Sequence, residues 1–200
     1  MKKILLFFTF GLLSVLSFAQ TKSDSFFVRG NYTNNIYTSV SRFNPNNYKS
    51  GLVIDFGDKH SFTPLKGLFL EGAGEFLFTD LPSAEMGSPG GDPDAISFHS
   101  HIREVGTGVY TVLGYDFRLG KNVRLNAFTG PEFRFLFKYY HSSPARNLLH
   151  KWNLRWKAGL GLNVKKLNVN LSVSPDVLDR GKGIRRYRTI QLVLGVGYYF

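Results

Sequence analysis

Residues 153–164 read NLRWKAGLGLNV and alternate with a period of two. Leu154, Trp156, Ala158, Leu160, Leu162 and Val164 fall on one side, and Asn153, Arg155, Lys157, Gly159, Gly161 and Asn163 on the other. A period of two belongs to an extended strand with unlike faces, whereas a helix would bring apolar residues back every 3.6 positions. The same alternation returns in LNVNLSVS, where Leu167, Val169, Leu171 and Val173 oppose Asn168, Asn170, Ser172 and Ser174. It returns again at the end of the chain, where Ile190, Leu192, Leu194, Val196, Tyr198 and Phe200 share a side and Val193 intrudes on the other.

Earlier runs follow the pattern with interruptions. Val105, Val109, Leu113, Tyr115 and Phe117 oppose Glu104, Gly106, Gly108, Asp116 and Arg118. Val123, Leu125, Ala127, Phe133, Phe135 and Phe137 oppose Arg124, Asn126, Gly130, Glu132, Arg134 and Lys138. Thr107, Thr111, Thr129 and Pro131 break the apolar sides, and Phe128 and Leu136 break the polar one. Further upstream, Phe76 and Phe78 oppose Glu71 and Glu75, Ile54 opposes Asp55, and Val28 opposes Arg29. The alternation predicts eight strands, near 25–34, 47–57, 66–80, 99–119, 123–140, 151–164, 167–176 and 187–200.

The connections test that reading. A hairpin about Gly120-Lys121-Asn122 sets Leu119 against Val123, Glu104 against Lys138, and Asp116 diagonal to Arg124. A turn at Lys165-Lys166 sets Val164 against Leu167 and Asn163 against Asn168. Both registers put like face beside like face, which a one-residue slip would destroy. Lys-Lys is an unusual two-residue turn, since Asn and Gly are preferred there, and a longer turn at that point stays open. Connections after the even strands are short or moderate. Those after the odd strands, 35–46, 81–98, 141–150 and 177–186, are long or polar. Short turns at one end and long loops at the other are the pattern of a membrane β-barrel.

A half-apolar sheet closes with its apolar side inward in a soluble barrel and outward in a membrane barrel. Three features favour the second. The polar side carries both signs of charge, in Arg29, Asp55, Glu71, Glu75, Glu104, Asp116, Arg118, Arg124, Glu132, Arg134, Lys138, Arg155 and Lys157. It is also rich in glycine, which leaves room for long neighbours. Aromatics gather at strand ends, with Tyr139, Tyr140 and Trp152 at one rim and Phe56, Tyr115, Phe117, Tyr198 and Phe200 at the other.

The first nineteen residues supply the third feature. Lys2 and Lys3 precede a short apolar run, and Ser17-Phe18-Ala19 carries small residues where a signal peptidase reads. Cleavage is expected after Ala19, leaving a barrel domain over 20–200. The formal charge of +11, less the two signal lysines, leaves +9 on the mature chain. For an exported chain that excess suits anionic lipid rather than nucleic acid. There are no cysteines, so neither disulfides nor a lipid-modified N-terminal cysteine contribute.

With these residues in view, the ending LVLGVGYYF resembles the C-terminal assembly signal of bacterial outer-membrane β-barrel proteins. The whole mature chain resembles the small eight-stranded members, of the OmpA transmembrane-domain and porT-like kinds. The resemblance implies an all-β, antiparallel up-and-down transmembrane barrel in the bacterial outer membrane, with both mature termini periplasmic. It implies that Leu192, Leu194, Val196, Tyr198 and Phe200 are read by the barrel-assembly machinery.

Eight strands enclose a space that side chains fill, so a wide pore is not expected. The leading expectation is a non-enzymatic envelope protein, structural or accessory to a larger complex. A basic loop cluster of Arg146, Lys151, Arg180, Lys182, Arg185, Arg186 and Arg188 is placed to meet lipopolysaccharide phosphates, which the arginine fork fits. A narrow channel is one alternative. A lipid A-modifying enzyme is another, resting on His99, Ser100, His101 and Glu104 in FHSHIRE. There, alternation turns Ser100 away from both histidines. The serine of the barrel deacylases would fall at 101 or 103, which here are His and Arg. No cofactor is expected, and the His99–His101 pair is too small for a metal site.

Overall fold

The computed structural model describes residues 24–37, 48–62, 65–82, 101–140, 150–180 and 188–200. Eight strands run in chain order: β1 Asp24–Tyr37, β2 Tyr48–Ser61, β3 Leu68–Pro82, β4 His101–Arg118, β5 Val123–Tyr140, β6 Trp152–Val164, β7 Leu167–Pro175 and β8 Thr189–Tyr199. Each pairs antiparallel with its sequence neighbours, and β8 returns to β1, closing the barrel. Closure removes both sheet edges, so the barrel wall has no unpaired edge strand. The strands end within four residues of the expected positions. The proposed signal segment lies outside the described residues.

Next to their turns both hairpins have the register that the alternation requires. Leu119 donates its N–H to the carbonyl of Val123, and Val164 pairs with Leu167. The Lys165-Lys166 turn is two residues long, with Lys165 held at a φ of 55°. Its backbone N–H is tied to the carbonyl of Asn122 in the adjacent turn, 2.8 Å away.

One register expectation is corrected. A bulge between Val105 and Gly106 gives β5 one extra residue, Phe137, so that Glu104 lies opposite Tyr139 rather than Lys138. The extra residue shifts the pairing while Leu136 stays inside and Phe137 outside. A second irregularity lies at Pro131. The β4–β5 pairing breaks off between Tyr110–Glu132 and Leu113–Thr129, where a residue without an N–H faces β4.

Burial is inverted relative to a soluble protein. Leu160 is 56% exposed, Leu171 62%, Leu194 51% and Val109 58%, whereas Asp55, Glu132 and Gln191 are fully buried. No helix among the described residues is long and apolar enough to cross a membrane. The outward band is largely apolar on all eight strands, and two of its polar pairs are satisfied locally. Trp156 donates its indole N–H to Thr129 Oγ1 at 2.8 Å, and the Thr107 hydroxyl donates to the backbone carbonyl of Glu75 at 2.8 Å. Such pairing is what hydrocarbon demands of a polar atom.

Candidate functional site

The site that the fold constructs is the lumen. Among the described residues, its buried charges are the cations Arg29, Lys59, Arg134, Arg155, Lys157 and Arg180 and the anions Asp55, Glu71, Glu75, Glu104, Asp116, Glu132 and Asp176. Isolated charges at such depth would be costly, and these are arranged in contact with opposite partners.

Three levels can be followed from the short-turn end. At the mouth, Lys59 Nζ donates to both oxygens of Asp116, at 2.8 and 2.9 Å, and lies 3.7 Å above the Phe69 ring. Above it, Arg29 donates from Nη1 to Glu71 at 3.2 Å and to the Tyr110 hydroxyl at 3.1 Å, and from Nε to Asn168 at 3.1 Å. The Tyr110 hydroxyl donates onward to Glu71 at 3.0 Å, and Asp55 stands 3.7 Å from the arginine. Lys157 links this level to the next, 3.9 Å from Asp55 and 3.2 Å from Glu75.

In the upper half Arg134 pairs with Glu75 at 3.3 Å and with Glu132 on its own strand. Gln191 of β8 receives hydrogen bonds from Arg134 at 2.7 Å and from Arg155 at 3.2 Å, and gives one to Asn35 at 3.0 Å. The network continues past the end of β7. Asp176 pairs with Arg155 at 3.1 Å and accepts from Asn153, from the Thr189 hydroxyl and from the Thr189 N–H. Arg180 turns inward and pairs with Glu104 at the long-loop mouth. Residues 176–180 thus fold back over the opening.

The two sides of the lumen differ in chemistry. From β1 through β6 it is ionic. β7 and β8 contribute Asn168, Asn170, Ser172, Ser174, Thr189 and Gln191, which are buried, polar and uncharged. Asparagines bridge the short-turn end, where Asn168 donates to Asn163 at 2.6 Å. Glycines stand where long side chains cross. A Cβ on Gly195 would lie 2.6 Å from Asn170 Nδ2 and 3.0 Å from Arg29 Cδ, and one on Gly108 2.8 Å from a Glu75 oxygen. Apolar side chains fill the remaining space. Phe27, Ala73, Tyr110 and Val112 cluster toward the short turns with Phe128 and Tyr199 against them, while Leu77, Leu136 and Val193 are buried higher up.

The structure brings together Arg29, Asp55, Glu71, Glu75, Glu132, Arg134, Arg155 and Lys157, and buries Glu104 and Asp116. Arg118 and Arg124 instead lie exposed on the short-turn rim, Arg124 reaching back to 3.9 Å from Asp116. The side chain of Lys138 lies outside the described residues. Of the basic loop cluster, Lys151 and Arg188 are exposed, Arg180 is buried, and Arg146, Lys182, Arg185 and Arg186 lie outside the described residues. Lys59, Asp176 and Arg180 join the lumen without having been assigned to it from the sequence. In the FHSHIRE segment, His99, Ser100 and the side chain of His101 lie outside the described residues, while Glu104 is engaged by Arg180. Among the described residues no cluster of His, Asp or Glu is arranged to hold a metal ion.

The outer rims carry aromatics at both ends. Tyr198 stacks edge-on against Phe200 and Tyr115 packs on Phe117 at the short-turn end, and Phe133 stacks on Trp152 toward the long loops. The side chains of Tyr139 and Tyr140 lie outside the described residues.

Neither a family model nor a curated protein matches the chain. Solved structures similar to it include outer-membrane proteins. The attachment invasion locus protein Ail of Yersinia pestis is 16% identical, covering 89% of this chain and 99% of Ail at a TM-score of 0.47. OprG from Pseudomonas aeruginosa is 12% identical, covering 90% and 97% at 0.48, and the Neisserial surface protein A is 12% identical, covering 90% and 100% at 0.46. The chain has the form of a small eight-stranded barrel. What it can do follows from its own two faces.

Proposed function

We propose that this chain is an integral protein of the bacterial outer membrane, with a structural or accessory role in the cell envelope and no wide pore. The observation that carries the reading is the inverted burial: Leu160, Leu171 and Leu194 face outward while Arg29, Glu75, Glu132 and Arg155 are packed inside. In water that arrangement would expose the apolar band of every strand and bury paired ions at a cost. In a bilayer the same band is solvated by lipid, and the ions keep the interior polar and filled.

Paired side chains from every wall cross the lumen, and residues 176–180 cover one mouth, so the interior serves as a rigid plug rather than a conduit. The working surfaces are then the rims and the long loops. The loops offer Lys151 and Arg188 toward lipopolysaccharide phosphate or toward a larger envelope complex.

Two measurements test this. The purified chain in detergent or vesicles should migrate as a compact band before boiling and a slower one after, as a closed barrel does. In a planar bilayer it should give no stable ohmic conductance. A steady open-channel current would overturn the plugged-lumen reading, and a chain that stays monomeric in buffer without detergent would overturn the membrane assignment.

A further inference from the structure

The short-turn end carries a collar of positive charge. Lys66 sits in the β2–β3 turn, Arg118, Lys121 and Arg124 about the β4–β5 turn, and Lys165 and Lys166 form the β6–β7 turn, all six exposed. The carboxylates described at this end are Asp116, turned inward against Lys59, and Asp58, half-buried on β2. Of the collar, Arg124 reaches to 3.9 Å from Asp116. Three successive turns around the barrel therefore present more exposed cations than carboxylates.

Two details of the collar point to a ligand. Lys165 holds a φ of 55°, a conformation that Asn or Gly adopts more cheaply at a hairpin turn. A cation stands at a position where backbone preference would choose a neutral residue. Lys166 leans back so that its Nζ lies 5.6 Å from the centre of the Tyr198 ring, on the outward aromatic belt. That ring marks the boundary of the hydrocarbon layer, and its partner in the belt, Phe117, is followed directly by Arg118. The polar layer of a bilayer extends roughly 5–8 Å beyond the hydrocarbon on each side. Turns this short hold their cations inside that layer rather than beyond it.

We propose that the collar is a docking surface for anionic phospholipid headgroups, binding the phosphates of the leaflet from which the short turns emerge. This rests on the membrane reading of the barrel. Lysine and arginine near such a surface are attracted electrostatically, with a range set by the Debye length. The collar adds to the fold an anchor at fixed depth, ringing the end opposite the long loops.

The test uses the full mature chain refolded into phosphatidylcholine vesicles with or without phosphatidylglycerol, and reads the midpoint of heat unfolding by gel mobility. The comparison is with Lys66→Gln/Lys121→Gln/Lys166→Gln, which leaves the lumen and the positive-φ residue Lys165 untouched. The wild-type midpoint should rise with phosphatidylglycerol, lose that rise near 1 M salt, and match the variant in pure phosphatidylcholine. The variant should lose most of the rise, whereas Lys151→Gln at the opposite mouth should keep it. An equal rise in wild type and triple variant overturns the proposal. So does a larger rise produced by added polyglutamate in pure phosphatidylcholine, which would assign the collar to an acidic protein. Failure of the wild type to give a heat-modifiable band in any vesicle would instead overturn the membrane reading, and the collar proposal with it.

Discussion

Arg29 is the group through which the lumen is most directly tested. It is 3% exposed and joins four strands, reaching Asp55 on β2, Glu71 on β3, Tyr110 on β4 and Asn168 on β7. Methionine at 29 would keep much of the volume and remove the charge. Glu71 would then keep hydrogen bonds from the hydroxyls of Tyr110 and Tyr199, at 3.0 and 3.3 Å, with Lys59 as the remaining nearby cation, and Asp55 would keep Lys157 at 3.9 Å. Removing one partner of a buried pair leaves the other uncompensated and costs about 3–5 kcal/mol. That lowers the folded-to-unfolded ratio by roughly a hundredfold or more. Replacing both ions is far milder, so Arg29→Met/Glu71→Met should recover most of the loss. Urea unfolding in vesicles, followed by the fluorescence of Trp152 and Trp156 on the outer face of β6, measures both variants. A single variant within about 1 kcal/mol of wild type would refute the ion-paired lumen, since typical exposed pairs are worth no more. A double variant no more stable than the single would refute the pairing of these two residues.

Other perturbations separate the two faces. Leu194→Arg, at the middle of β8 and half exposed, should destabilise the vesicle-embedded protein by about 2–4 kcal/mol, measured by the same titration. Gly195→Val, one residue along and facing inward, would drive a side chain into Asn170 and Arg29 and should cost about 1–3 kcal/mol. Trp156→Phe and Thr129→Val should each lose about 0.5–1.5 kcal/mol, and a double-mutant cycle should show the two losses coupled through their shared hydrogen bond.

Much of this was legible because parity in a strand is strict. Once Glu71 and Glu75 are set inward, Phe69, Ala73 and Leu77 must follow them, and all three are buried. Local composition obscures this where apolar residues run together, as in LFL at 68–70 and FLF at 76–78. Neighbours cannot tell which Phe or Leu faces in, and only a charged residue further along the strand settles it. Lys59 was missed because β2 continues to Ser61, past the polar sequence that suggested a turn. Asp176 and Arg180 were missed for another reason. The lumen continues above the strands, where Val177 donates to the carbonyl of Leu154 at 2.9 Å and period-two alternation no longer applies. The extra residue at Phe137 left no sequence signal, because Phe133, Phe135, Phe137 and Tyr139 keep one parity straight through it.

The uncharged wall has a consequence for how the cylinder is completed. Every ion pair described in the interior is made by residues of β1 to β6 together with Asp176 and Arg180, and β8 carries no ionisable side chain except its tyrosines. The final strand therefore closes the seam without contributing an ion pair of its own. What it must match is pleat, length and a few hydrogen bonds, with Gln191 donating to Asn35 and Tyr199 to Glu71. A foreign strand with the same oily-out, small-in cadence would break no ion pair at that seam, and would forfeit the bonds that Thr189, Gln191 and Tyr199 make to charged neighbours.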